Sequence, residues 1–213
     1  MHRHTKNIRT AGKPLEQADQ VMIFVHGRGG TADDILGLSN YLQVRDFALL
    51  APQAERNTWY PYSFMAPPAD NEPGLSSGLS LLEEMAAGAV ASGFESTDIF
   101  FVGFSQGACL TMEFAARNAR PFGGIFALSG GLIGDRLYTE NYQGDFAGTP
   151  IFLGCSDTDF HIPLQRVHES TRMLADMNAW VTEKIYPNMG HTIVQDEIDQ
   201  INKIIVDRIK ERP

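Results

Sequence analysis

Cysteine is nearly absent, with Cys109 and Cys155 the only two in 213 residues. Two thiols are too few for a disulfide framework or a zinc site, so a packed core has to hold the chain together. Long apolar runs are missing too. The first, Val21 to Val25, is five residues long, against roughly 20 needed to cross a bilayer. The stretch Met1 to Leu15 carries Arg3, Lys6, Arg9 and Lys13 but no apolar run of the kind a signal peptide requires. The expectation is a cytoplasmic protein with no integral membrane association. Basic residues are in deficit, 17 Lys and Arg against 26 Asp and Glu, a formal net charge of −9. Such a surface repels phosphate backbones and argues against a nucleic-acid partner. No H-E-x-x-H motif or carboxylate cluster joins His26, His161 or His168, so neither a metal nor any other cofactor is expected.

What is present reads as one domain with an ordinary core. Residues 1–20 are expected to form a partly ordered N-terminal segment, its basic start with His2 and His4 a frayed terminus. Residues 21–213 form the domain. Short runs rich in Val, Ile, Phe and Leu predict strands at Val21–His26, Phe47–Ala51, Asp98–Gly103, Gly124–Leu128, Pro150–Gly154 and Trp180–Tyr186. Helical spacing predicts helices near Ala32–Leu42, Gly78–Ser92, Gln106–Asn118, Leu164–Met177 and Ile193–Lys210. The alternation gives an α/β fold, a mostly parallel sheet with helices on both faces. In such sheets the chemistry sits just past the carboxyl ends of strands.

Three segments meet that condition. Gly103-Phe104-Ser105-Gln106-Gly107 follows a β-type run and opens a helical one, the setting of a G-x-S-x-G nucleophile elbow with Ser105 at its tip. A hydroxyl nucleophile needs a base, and the base an orienting carboxylate. His191, on the Gly-flanked loop after the last strand, is the base. Asp157 and Asp159 compete for the acid. Asp159, four residues before Pro163, is preferred, and Asp157 is then a turn former whose side chain bonds backbone N–H groups. The oxyanion donors are the backbone N–H of Gln106 and, from the turn His26-Gly27-Arg28-Gly29-Gly30, that of Arg28. His26 is expected to support that turn.

The elbow G-F-S-Q-G, the turn H-G-R-G-G, the D-x-x-I-P segment ending at Pro163 and the G-H-T at Gly190 resemble the phospholipase/carboxylesterase family of α/β-hydrolases, in order from Val21 to the last helix. That family includes acyl-protein thioesterases and small bacterial carboxylesterases. The resemblance implies an α/β-hydrolase fold, Ser105, Asp159 and His191 as a triad, and Arg28 and Gln106 as oxyanion donors. Substrates would be small-molecule esters or thioesters. Two departures stand out. The better-known thioesterases carry an apolar residue at the position of Arg28, and His-Gly where this chain has Cys155-Ser156.

The Arg28 side chain has two readings, a receptor for a substrate carboxylate or a solvated group pairing with Asp33 or Asp34. The first would make the protein a lactonase or a dienelactone-hydrolase-like enzyme on small anionic esters, although dienelactone hydrolase itself uses a cysteine nucleophile. A non-catalytic small-ligand binder is a remoter reading, since such a protein need not keep a complete triad. In the stretch Asn57 to Phe64, part of a loop of about 20 residues between strand and helix, Trp59 and Phe64 are nominated as walls of the substrate pocket. Residues 129–148 hold few apolar positions, so no large cap is expected. A homodimer is one expectation for the assembly, with no dimer face readable from the sequence.

Overall fold

The computed structural model describes residues 3–210; Met1, His2 and residues 211–213 lie outside that range. Seven strands form one sheet in the order β1-β3-β2-β4-β5-β6-β7. The strands are β1 (Ile8–Gly12), β2 (Gln20–Val25), β3 (Phe47–Pro52), β4 (Ile99–Phe104), β5 (Gly124–Leu128), β6 (Pro150–Ser156) and β7 (Trp180–Tyr186). All pairings are parallel except β1 on β3. The helices are α1 (Ala32–Leu36), α2 (Gly74–Ala91), α3 (Gln106–Arg117), α4 (Leu164–Asp176) and α5 (Gln195–Lys210).

Alternation along the buried strands divides the core into two layers, because successive side chains leave a strand on opposite faces. Val21, Ile23, Ile99, Phe101, Ile125 and Leu153 pack toward α2, α3 and α4. Met22, Phe24, Phe100, Val102, Phe126 and Phe152 pack toward α1 and α5, where Ile198, Ile201 and Ile205 present the stripe read from the sequence. With both faces covered, the strands read as continuous apolar runs.

β1 corrects the sequence reading of the N-terminal segment. Its side chains are mostly exposed, so no apolar pattern announces it. The backbone pairs with β3 from Ile8 opposite Pro52 to Gly12 opposite Ala48. Ahead of it His4 straps the start of the chain to the fold: its Nε2 lies 2.9 Å from the Trp59 carbonyl, and its backbone N–H donates to Ser77 Oγ at 2.8 Å. The segment from Arg3 on is therefore part of the fold rather than a frayed terminus.

The helix expected over Ala32–Leu42 stops at Leu36 and continues as a 3-10 turn over Gly37–Tyr41. There Ser39 Oγ donates to the Leu36 carbonyl and Asn40 Nδ2 to that of Gly37. Such local side-chain bonds compete with the helical ladder. The long connection between β5 and β6 contains one short 3-10 turn, Thr139–Asn141, and no cap.

The chain leaves β2 toward β3 on one side and returns to β4 on the other. The crevice beyond the carboxyl ends of β2 and β4 is the switch point of the sheet, where such folds bind ligands.

Candidate active site

Ser105 sits at that switch point, between β4 and α3, with φ 56° and ψ −120°. Its backbone lies in a left-handed region that side chains avoid. The turn is this tight because two glycines let it be. A Cβ on Gly107 would fall 2.0 Å from the Val25 carbonyl oxygen, and one on Gly103 2.5 Å from that of Gly107. α3 can therefore press against β2 and β4 only with no side chain at either position.

His191 comes from the loop after β7. Its Nε2 lies 2.8 Å from Ser105 Oγ and its Nδ1 2.7 Å from Asp159 Oδ2. The Asp159 side chain is fully buried, and its Oδ1 accepts from the backbone N–H groups of His161 at 2.8 Å and Ile162 at 3.1 Å. The carboxylate is thereby fixed before it meets the imidazole. Asp157, exposed, points elsewhere and accepts from the Asn188 backbone N–H at 2.8 Å. Phe104 and His161 flank the His191 ring, with centroids 5.1 and 4.9 Å away.

Among the described residues, the backbone N–H groups of Arg28 and Gln106 have no hydrogen-bond partner, whereas the neighbouring Gly29 and Gly30 donate to the Asn57 and Gly27 carbonyls. The two free donors flank Ser105: Gly27 comes so close that a Cβ on it would lie 3.3 Å from Ser105 Cβ. His26 braces this turn. Its Nδ1 bonds the Gly27 carbonyl at 2.8 Å, while its Nε2 accepts from the Ala54 backbone N–H at 3.1 Å. Burial pushes the His26 pKa below its ordinary value, which keeps Nε2 an acceptor.

A cavity of about 520 Å³ opens over Ser105 and His191, walled by Tyr60, Tyr62, Phe64, Phe104 and Ile162. Phe64 lies where the sequence nominated it; Trp59 does not. Trp59 is fully buried, and its indole N–H donates to the His26 carbonyl at 2.8 Å. It props the turn from behind instead of lining the pocket. The Arg28 side chain pairs with neither Asp33 nor Asp34. Asp33 faces Arg9 at 3.5 Å, and Asp34 caps α1 through Thr31. The guanidinium instead crosses the cavity mouth to the Pro61 and Tyr62 carbonyls, at 2.9 and 2.6 Å.

Three features escaped the sequence reading. The Gln106 side chain clamps the aromatic loop: its Oε1 accepts from the Trp59 N–H and its Nε2 donates to the Tyr60 carbonyl. Tyr60 and Tyr62 are walls, and His161 stands at the rim. The density of aromatics in residues 59–64 was the available signal, but an irregular loop gives no periodicity to say which ones face inward. Among the described residues no group of three or more His, Cys, Asp or Glu side chains is placed to hold a metal ion. No described helix is long and apolar enough to cross a membrane.

A family model described as phospholipase/carboxylesterase matches residues 7–208. The chain belongs to the phospholipase/carboxylesterase family. It is accordingly an α/β-hydrolase acting on ester or thioester substrates. The crystal structure of a phospholipase/carboxylesterase from Dyadobacter fermentans DSM 18053 is 49% identical, with a TM-score of 0.95 over 97% of this chain and 99% of that one. The acyl-protein thioesterase 1 of Saccharomyces cerevisiae is 28% identical across 93% of this chain and 96% of its own length. A Bacillus cereus carboxylesterase shares the fold with a TM-score of 0.76 at 20% identity, over 94% of this chain and 93% of that one. In this family member the long β5–β6 connection remains uncapped, so the cavity stays open to solvent.

Proposed function

We propose that the protein cleaves carboxylic esters or thioesters in two steps through an acyl-enzyme on Ser105. The reading rests on the unbroken relay from Asp159 through His191 to Ser105, with contacts of 2.7 and 2.8 Å. Ser105 Oγ attacks the carbonyl carbon while His191 Nε2 takes its proton. The oxyanion accepts from the backbone N–H groups of Gln106 and Arg28. His191 then hands the proton to the leaving alcohol or thiol, and next activates a water that releases the acid and frees Ser105. Asp159 holds Nδ1–H and stabilises the imidazolium in both steps. Apart from that water, the scheme calls on no cofactor.

The yeast relative's name brings thioesters into the substrate range. The open, uncapped cavity favours soluble esters over lipid droplets. A cytoplasmic setting is part of this reading.

The test is kcat/KM on p-nitrophenyl esters from acetate to palmitate, with labelling by a fluorophosphonate. Ser105→Ala is expected to abolish labelling and to lower kcat by about 10⁴–10⁶-fold, as in other triads that act as units. Activity within tenfold of the parent would overturn the mechanism.

A further inference from the structure

The charge-bearing side chains that line the cavity are basic, and the Asp159 carboxylate lies behind His191. In a chain of net charge −9, no aspartate or glutamate among the described residues lines the space over Ser105; its basic groups are Arg28, His161 and His191. Only the Arg28 charge is permanent. The carboxylates nearest to it in sequence, Asp33 and Asp34, are committed to Arg9 and Thr31, and Arg28 forms no ion pair among the described residues.

The guanidinium, although exposed, is tethered at two points. Its two terminal nitrogens donate to the Pro61 and Tyr62 carbonyls, and its central carbon lies 6.0 Å from the centroid of the Tyr60 ring. Those two bonds use two of the five guanidinium N–H groups. The remaining three have no acceptor among the described residues. A charged fork already tethered in this way binds an anion with little further loss of side-chain freedom. Because Arg28 also carries a free backbone N–H beside Ser105, its charge lies one side-chain length from the carbonyl under attack. That reach suits a small substrate.

Resting on the reading of Ser105 as nucleophile, we propose that the Arg28 guanidinium is the receptor for a carboxylate carried by the substrate, so that the preferred substrates are short anionic esters. Two sources of the carboxylate share this chemistry, the acyl part and the alcohol part, and matched pairs separate them. Monoethyl succinate against ethyl 4-oxopentanoate places the charge on the acyl side. The pair 4-acetoxybenzoate and 4-acetoxybenzamide places it on the alcohol side.

The quantity read is the ratio of kcat/KM within each pair, for the parent and for Arg28→Gln and Arg28→Lys. A residue that merely latches the aromatic loop changes both members of a pair alike and leaves the ratio untouched. The parent is expected to favour the anionic member of one pair by about ten- to a hundredfold, the range of one charge-assisted contact. Arg28→Gln should bring that ratio close to one. Arg28→Lys, which keeps the charge and loses the fork, should fall between them. Ratios near one in both pairs for the parent, or a preference that survives Arg28→Gln, overturn the inference.

Turnover that survives Ser105→Ala would instead sink the reading of Ser105 as nucleophile, which keeps the two failures apart. If all four esters turn over too slowly to rank, protection decides. Succinate should slow fluorophosphonate labelling of Ser105 in the parent and not in Arg28→Gln, and equal labelling rates in the two overturn the proposal.

Discussion

Asp157 and Asp159 stand on one loop two positions apart, and their partners separate them completely. Asp159 is buried, accepts two backbone N–H groups and meets His191 at 2.7 Å. Asp157 is exposed and accepts from the Asn188 N–H alone. In Asp159→Asn the amide nitrogen can present a donor where His191 Nδ1–H needs an acceptor, favouring the wrong tautomer. The expected loss in kcat is about 10⁴-fold, the scale seen for the equivalent change in other triads. Asp157→Asn keeps a carbonyl oxygen for Asn188 and should stay within about tenfold. Steady-state rates on one p-nitrophenyl ester rank the two, and the reverse ranking would move the acid to Asp157. At this scale the sequence was informative where chemistry fixes spacing, as for Ser105, Asp159 and His191. It was uninformative where only packing decides. Nothing in the composition says that Trp59 turns inward to His26 while Tyr62 stays out at the mouth, or that Arg28 prefers two carbonyls to a nearby aspartate.

The β4–α3 elbow stores a local cost. Ser105 at φ 56° and ψ −120° lies where non-glycine residues carry about 1–3 kcal/mol of strain. Glycine there removes the strain but adds about 0.4–1 kcal/mol of unfolded-chain entropy, so strain wins for most of that range. Ser105→Gly should therefore unfold at a higher temperature than Ser105→Ala, although both are inactive. A lower melting temperature for the glycine variant would mean that the elbow is unstrained. The flanking glycines predict the opposite sign. Gly107→Ala drives a methyl to 2.0 Å from the Val25 carbonyl oxygen, and backbone cannot swing aside as a side-chain tip can. A loss of more than about 3 kcal/mol is expected by chemical denaturation, at the upper end for single changes. Five strands, β2 to β6, were legible because burial on both faces writes an unbroken apolar run, whereas β7 is a half-exposed edge strand that lacks one. β1 was not, because an exposed edge strand is held by backbone bonds to β3, and those leave no trace in side-chain type.

Stability of the whole molecule should carry a pH dependence centred on Glu197. This carboxyl is fully buried on α5 and faces β6, where a Cβ on Gly154 would collide with it. Its Oε2 accepts from the Val194 N–H at 2.9 Å, closing the turn between the His191 loop and α5, while its Oε1 has no partner. Burial raises its pKa from the ordinary 4.5 to about 7, with the adjacent Asp196 charge pushing the same way. The folded protein then holds this proton more tightly than the unfolded chain does. Its contribution to stability is complete below about pH 4.5 and is lost as the pH rises through about 7. At one pKa unit per 1.36 kcal/mol, the loss reaches at most roughly 3 kcal/mol. Glu197→Gln stays neutral at every pH and keeps an oxygen for the Val194 N–H. Relative to the parent it should be near neutral at pH 5 and stabilising by up to several degrees in Tm at pH 8. Taking the difference between variant and parent cancels the exposed carboxylates, which titrate alike in both. A variant equally stabilised at both pH values, or less stable at pH 8 than at pH 5, would show that Glu197 is ionised at little cost and that the junction beneath His191 does not respond to this proton.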